Sequence, residues 1–343
     1  MKLEEVGEFG LIERIKQIVH QSFGKLVVGI DDDAAVFESS PGFLTVVSTD
    51  AFIETVHFDL SYFSFYQLGW RVLAASLSDI AAMAGVPKVA VFSIGLPASI
   101  EVESVEQFYR GAKALADRFE TAIIGGDTTA SPGKLFISIT VIGEVEEEKV
   151  TRRSGARPGD GVFLTGVAGV SHAGLLALRS QKAGDRAAFR GVEERHLLPL
   201  PRVYEARCLV ERFPIHAMID VSDGVACEIH HICAHSRVGA RLVVDRIPID
   251  SGAEEVASLM SQNALDYALY GGEDFELLFT APAQLGDEIR ERMSARFDLA
   301  CTCIGEITTQ SEGICLEDAS GRKRELGKKG YDHFGKTSSS SSS

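Results

Sequence analysis

Apolar residues in this chain fall into short continuous runs set between longer stretches of helical periodicity. Leu26-Val27-Val28-Gly29-Ile30, Leu44-Thr45-Val46-Val47-Ser48-Thr49, Ala122-Ile123-Ile124 and Ala217-Met218-Ile219 read as buried strands. Residues 8–22, 66–84, 101–119, 223–236 and 284–296 repeat apolar positions at three- and four-residue spacing and read as helices. Gly85 and Pro87 close the second of these. Further strands are predicted at 88–96, 135–145, 161–165, 240–244, 275–280, 300–307 and 313–317, and the polar stretch 180–195 as an exposed excursion. The pattern is α/β (α+β in the broader sense). The polar, turn-rich segment from Thr151 to Asp160 divides it into two domains, 1–148 and 149–336. Residues 337–343 form a serine tail, disordered by composition.

Carboxylates recur where these strands end. Asp31, Asp32 and Asp33 follow the first run, Asp50 the second, Gly125-Gly126-Asp127 the third, and Asp220 closes the fourth with Asp223 three residues on. Ligand sites of α/β folds collect at strand ends. Two carboxylates about 4 Å apart repel by roughly 4 kcal/mol at an effective dielectric near 20. Convergent acids therefore need protons or cations, and hard oxygen ligands select Mg²⁺ or a similar ion, which commonly arrives with phosphate. Asp79 adds to the set. Its helix is apolar nearly all round, so a mid-helix carboxylate needs a partner: it is a metal ligand, half of a buried ion pair, or a cavity-facing acid without function.

Composition narrows the partners. With 343 residues, 45% hydrophobic, the chain can bury a sizeable core. A net charge of −15 argues against broad nucleic-acid or membrane surfaces. The acidic start lacks a secretory signal and no run is long enough to span a bilayer, which points to the cytoplasm. The six cysteines include no C-x-x-C pair and fit a reducing compartment, with Cys301 and Cys303 read as core residues. His230, His231 and His235 lack a third zinc ligand of clean spacing. Neither a P-loop nor the protein-kinase motifs occur. Gly166–Gly174 could hold a phosphate at a helix N-terminus or serve helix packing. Ser222-Asp223-Gly224 could be a helix cap or part of a site. The acids of Gly271-Gly272-Glu273-Asp274-Phe275-Glu276 could face a ligand or solvent.

The ordered blocks Gly29–Ala35, Ser48-Thr49-Asp50, Val56-His57-Phe58, Leu77–Met83, Gly125–Thr129, Thr151–Asp160, Asp220–Gly224, Gly271–Leu277 and Gly330–Phe334 together resemble the thiamine-monophosphate kinase family. That family lies within the aminoimidazole-ribonucleotide synthetase-like superfamily. The resemblance implies two α/β domains, a homodimer formed through the N-terminal sheet, several Mg²⁺ ions, and ATP and thiamine monophosphate as substrates. The implied reaction moves the ATP γ-phosphate directly to thiamine monophosphate, giving thiamine diphosphate and ADP.

Residue by residue, the resemblance implies metal positions at Asp33, Ser48, Thr49, Asp50, Asp79, Asp127, Asp220 and Asp223. Asp50, Asp127 and Asp223 are the acids on which catalysis would most depend. Tyr109, Gly126, Asp127, Arg153 and Ser222 match nucleotide contacts; His57, Glu273 and Tyr331 match acceptor contacts. Asp31 stands where the family usually has glycine. Selenophosphate synthesis, a neighbouring activity, would need a reactive cysteine near the N-terminus, whereas the first cysteine is Cys208. A non-catalytic nucleotide or metal sensor is the alternative of another class.

Overall fold

The computed structural model of the protein describes residues 14, 15, 17, 18, 26–28, 36, 37, 40–180 and 187–328. The Asp31-Asp32-Asp33 triplet, Tyr331, the serine tail and most of the expected first helix lie outside them. Strand β1 (Leu26–Val28) pairs antiparallel with β2 (Val36–Phe37).

The N-terminal sheet contains β3 (Phe43–Ile53), β4 (Val86–Leu96), β5 (Ala122–Ala130) and β6 (Phe136–Glu146), in the order β3-β6-β4-β5. Only β4 and β5 run parallel. Two helices cover one face. Helix α1 (Phe65–Ala82) starts at Ser64, which forms a reciprocal capping box with Gln67. It stops where Ala84 turns left-handed at φ 56° and the Gly85 N–H reaches the Ile80 carbonyl at 2.8 Å. Helix α2 (Val102–Arg118) crosses it with the backbones in contact. A Cβ on Gly69 would sit 1.9 Å from the Phe108 carbonyl oxygen, and one on Gly111 would sit 1.8 Å from that of Tyr66. Leu68, Val72, Leu73 and Leu77 of α1, Phe108 of α2, and Phe92, Ile137 and Ile139 of the sheet fill the layer between them. The other sheet face carries exposed Phe43, Val47, Ile53 and Phe136.

The C-terminal sheet has seven strands: β7 (Asp160–Thr165), β8 (Ala217–Asp220), β9 (Gly239–Val243), β10 (Leu277–Pro282), β11 (Cys301–Thr308), β12 (Ile314–Glu317) and β13 (Lys323–Glu325). Their order is β13-β12-β9-β11-β7-β10-β8, and only β9 and β12 are parallel. Helices α3 (Val170–Arg179), α4 (Ala187–Leu197), α5 (Val203–Arg212), α6 (Val225–Ser236), α7 (Ser251–Met260), α8 (Ala264–Tyr270) and α9 (Gly286–Phe297) surround it.

Two expectations need correction. The stretch 180–195 is not simply an exposed excursion: from residue 187 it is helix α4, whose Phe189 and Val192 are buried against α3 and α7. One apolar residue per turn suffices for that face, too sparse a signal in a polar run. Nor do all the acids stand at strand ends. Strand β3 runs past Asp50 to Ile53 and β5 runs through Asp127 to Ala130, because continuous ladders to β6 and β4 extend both. Asp220 does end its strand.

Helix α1 also joins the domains. Trp70 Nε1 donates to the Pro199 carbonyl at 2.7 Å, Thr151 Oγ1 to that of Ala82 at 2.7 Å, and Arg207 Nη1 to that of Ala84 at 2.8 Å.

Candidate active site

The acids meet where α1 lies between β3 and β8. Strand alternation turns Ser48 and Asp50 of β3 toward α1. Ser76 of α1 donates to Asp50, and Ser48 donates to Asp79. Across the domain boundary Ser78 Oγ donates to Asp220 Oδ2 at 2.8 Å. Three serines thus link three carboxylates from both domains. Burial lifts Asp50, against the hydrogen bond from Ser76 and the nearby His57. Burial, then the Asp50 charge, lifts Asp79 to about 6. Burial, then Asp79, holds Asp220 well above the usual carboxylate range. Arg153, exposed after the domain boundary, partly offsets the charge on Asp79 and Asp220.

Asp220 leads into the turn Ser222-Asp223-Gly224, with Gly224 at φ 99°. Glu228 on α6 accepts the Asp223 N–H at 3.0 Å. The side chains of Asp223, Cys227 and Glu228 offer ligand atoms within 4.8 Å of one another. Burial pushes the Cys227 thiol up to about 11, so it stays protonated, and Glu228 is committed to the turn. Asp223 and Glu228 are the hard oxygen donors of this trio, and Cys227 the soft one.

A second strand of chain lies along that turn. The Glu273 N–H reaches the Ser222 carbonyl at 2.8 Å, and the Phe275 N–H reaches that of Val221 at 3.0 Å. This brings Ser222 beside Glu273, which adopts φ 68° and pairs with Arg71 of α1 at 2.6 Å. The other two acids of the segment are structural. Asp274 accepts the Gly169 and Ser171 N–H groups at 2.6 and 2.9 Å, so it occupies the N-terminus of α3. That excludes the phosphate-cradle reading of Gly166–Gly174: an internal carboxylate already sits there. Glu276 binds Arg202 Nε at 2.7 Å and Thr165 Oγ1 at 2.7 Å, with Arg195 at 3.1 Å.

The comparisons with known proteins bear on the family and the fold. Residues 31–145 match the model of the AIR synthase related protein N-terminal domain, and residues 157–315 match the C-terminal domain of the same family. The thiamine-monophosphate kinase of Bacillus subtilis (strain 168) is 36% identical over 330 residues, 95% of this chain and 99% of that one. The chain belongs to the thiamine-monophosphate kinase family. Solved structures of that family superpose over nearly the whole length. The enzyme from Stenotrophomonas maltophilia K279a gives a TM-score of 0.81 at 33% identity, covering 94% of this chain and 98% of that one. AaThiL complexed with AMPPCP and TMP gives 0.75 at 32% identity, covering 97% and 99%.

Not every residue that the family suggests joins the acid cluster. Asp127 is exposed on β5, opposite Ser93 of β4. Alternation puts it in the row Ala51–Ser138–Ser93, whereas Asp50 shares a row with buried Ile139 and Phe92. The two acids thus take opposite faces of the sheet. Gly126 lies against β4, where a Cβ would come within 2.0 Å of the Phe92 carbonyl oxygen. Thr49 Oγ1 donates to the Ile139 carbonyl at 2.9 Å, away from Ser48 and Asp50. Tyr109 is buried between Phe92 and Phe108, and burial raises its hydroxyl pKa. Its ring belongs to the core of the N-terminal domain. His57 accepts the Ile53 N–H on Nδ1 at 3.0 Å. The sequence reading missed Ser76, Ser78 and Arg71. Their helical spacing with Asp79 was visible, but hydroxyls and an arginine on an apolar helix gave no sign of their partners, Asp50 on β3 for Ser76 and residues of the other domain for Ser78 and Arg71.

Proposed function

We propose that the protein transfers the γ-phosphate of ATP to thiamine monophosphate, giving thiamine diphosphate and ADP by direct in-line transfer. The observation that carries the reading is the set of half-buried Asp50 and Asp79 with buried Asp220, assembled from both domains within a family of thiamine-monophosphate kinases. AMPPCP and TMP bound to AaThiL supply the corresponding pair of substrates in a relative.

The donor set fits a hard divalent cation such as Mg²⁺. It consists of carboxylates with serine hydroxyls, and burial and mutual repulsion leave it short of positive charge. Asp50, Asp79, Asp220 and Asp223 would hold such ions, with Asp33 a further ligand by family resemblance; Asp127, on the other face of the sheet, would hold an ion apart from Asp50. When bound, the ions would neutralise the phosphate oxygens of two polyanions. The chain's own groups do the positioning. Arg153 and Ser222 flank the turn at Asp223 on the nucleotide side. His57 and the Glu273 carboxylate would contact the acceptor, with Tyr331 suited to stack on its rings. The acceptor phosphate is already ionised at neutral pH, so no general base is required.

Phe43, Val47, Ile53 and Phe136 form an apolar outer sheet face, with Ile53 directly opposite Phe136. We assign it to a second copy of the chain, as a homodimer. The six cysteines are unpaired, which fits a cytoplasmic location. The test is incubation of purified protein with ATP, Mg²⁺ and thiamine monophosphate. Formation of thiamine diphosphate with stoichiometric ADP is expected; ADP release without it would overturn the assignment.

A further inference from the structure

Arg71 lies in the middle of α1 and is 1% exposed, yet nothing in the phosphoryl-transfer scheme uses it. An arginine that deep needs anionic or carbonyl partners. Both of its partners come from the other domain. One guanidinium nitrogen donates to the His196 carbonyl at the end of α4, and the other lies 2.6 Å from Glu273 Oε1. The guanidinium also sits over the Phe63 ring, 5.6 Å from its centroid. It is therefore fixed on three sides, while Glu273 is partly exposed on a loop whose backbone holds φ 68°. Non-glycine residues in that region persist only when their surroundings hold them there. The backbone bond from Glu273 to Ser222 sets the loop, and Arg71 sets the side chain.

We propose that Arg71 is a positioning residue for the acceptor: it reaches across the domain boundary and aims the Glu273 carboxylate at thiamine monophosphate. Arg71 engages one carboxylate oxygen, which leaves the second to accept from the substrate's donors. Lysine cannot reproduce the arrangement, because one ammonium cannot span a carbonyl and a carboxylate as the planar fork does. The inference rests on the reading of Glu273 as an acceptor contact.

The experiment measures kcat and the KM of each substrate for the wild type, Arg71→Lys, Arg71→Met, Glu273→Gln and the Arg71→Met/Glu273→Gln double variant. Thermal melts and circular dichroism check the fold. Arg71→Lys and Arg71→Met should raise the KM for thiamine monophosphate about tenfold, because the ion pair that orients Glu273 is lost. The KM for ATP should stay within about twofold. In the double variant, Arg71→Met should add nothing to the effect of Glu273→Gln, because both break one unit. A folded Arg71 variant with unchanged acceptor KM, effects that multiply in the double variant, or an equal rise in both KM values would overturn the proposal. Failure of both Arg71 variants to fold would make the residue purely structural and overturn it too. If the wild type is active and Glu273→Gln leaves the acceptor KM unchanged, this inference fails alone. An inactive wild type overturns the functional reading along with it.

Discussion

Asp79→Asn removes a half-buried charge and keeps an oxygen for the Ser48 hydroxyl. In the folded protein, burial and the Asp50 charge raise the Asp79 carboxyl from the ordinary 3.8 to about 6. An acid whose pKa is higher folded than unfolded binds its proton better in the folded state. Its contribution to stability is thus full below about pH 4 and lost as pH rises through about 6. Above that, the ionised side chain costs about 3 kcal/mol relative to a group that never ionises, at roughly 1.4 kcal/mol for each tenfold step. Metal-free Asp79→Asn should therefore melt several degrees above metal-free wild type at pH 8, and the gap should close by about pH 4. Mg²⁺ with AMPPCP should raise the melting temperature of the wild type by linkage, and the variant should lose most of that rise along with activity. Scanning calorimetry at pH 4, 6 and 8, with EDTA or with Mg²⁺-AMPPCP, tests the whole argument. If Asp79 were instead half of a buried ion pair with Arg153, its loss would cost about 3–5 kcal/mol at pH 8 and leave the ligand-induced rise intact. That result would refute the metal-site reasoning.

Three further outcomes are expected. Thiamine diphosphate synthesis should stop in excess EDTA and return with added Mg²⁺; product formed at an undiminished rate in EDTA would rule out the cation site. Asp50→Asn and Asp127→Asn should each lower kcat by about 100-fold or more, the size of a strong transition-state contact, with circular dichroism unchanged. Turnover near wild type in either variant would remove that acid from the reaction. Glu276→Ala should destabilise the fold by about 3–5 kcal/mol, because it leaves the buried Arg202 without its main partner. Chemical denaturation measures that loss, and an unchanged midpoint would contradict the structural role given to Glu276.

Both sheets and most of their strands were legible because each buried strand is a continuous apolar run and each covering helix keeps its periodicity. Helix α4 was not, since only Phe189 and Val192 mark its buried face. Site residues divide in the same way. Asp50, Asp79 and Asp220 stood out because a carboxylate inside an apolar run is costly and demands a reason. Asp274 and Glu276 stood out equally, yet the structure spends them on the N-terminus of α3 and on Arg202. Sequence shows that a buried acid must be compensated, but not by what, because the compensating donors lie from 26 to 142 residues away.

Distance along the chain also hid the role of α1. Arg71 and Ser78 lie seven residues apart, two helical turns, and so on one side of the helix. Both reach the C-terminal domain, Arg71 at Glu273 and Ser78 at Asp220. Ser76 and Asp79, three residues apart, meet Asp50 and Ser48 of β3. One helix therefore forms a wall of the acid cluster with one pair of residues and touches the second domain with the other. Gly69 locks its height against α2, since even a methyl group there would collide with the Phe108 carbonyl. A slip of α1 by a single residue would turn all four side chains about 100° away from their partners. The packing of small residues between α1 and α2, which touches no substrate, is thus what holds the acceptor side and the acid cluster in fixed relation.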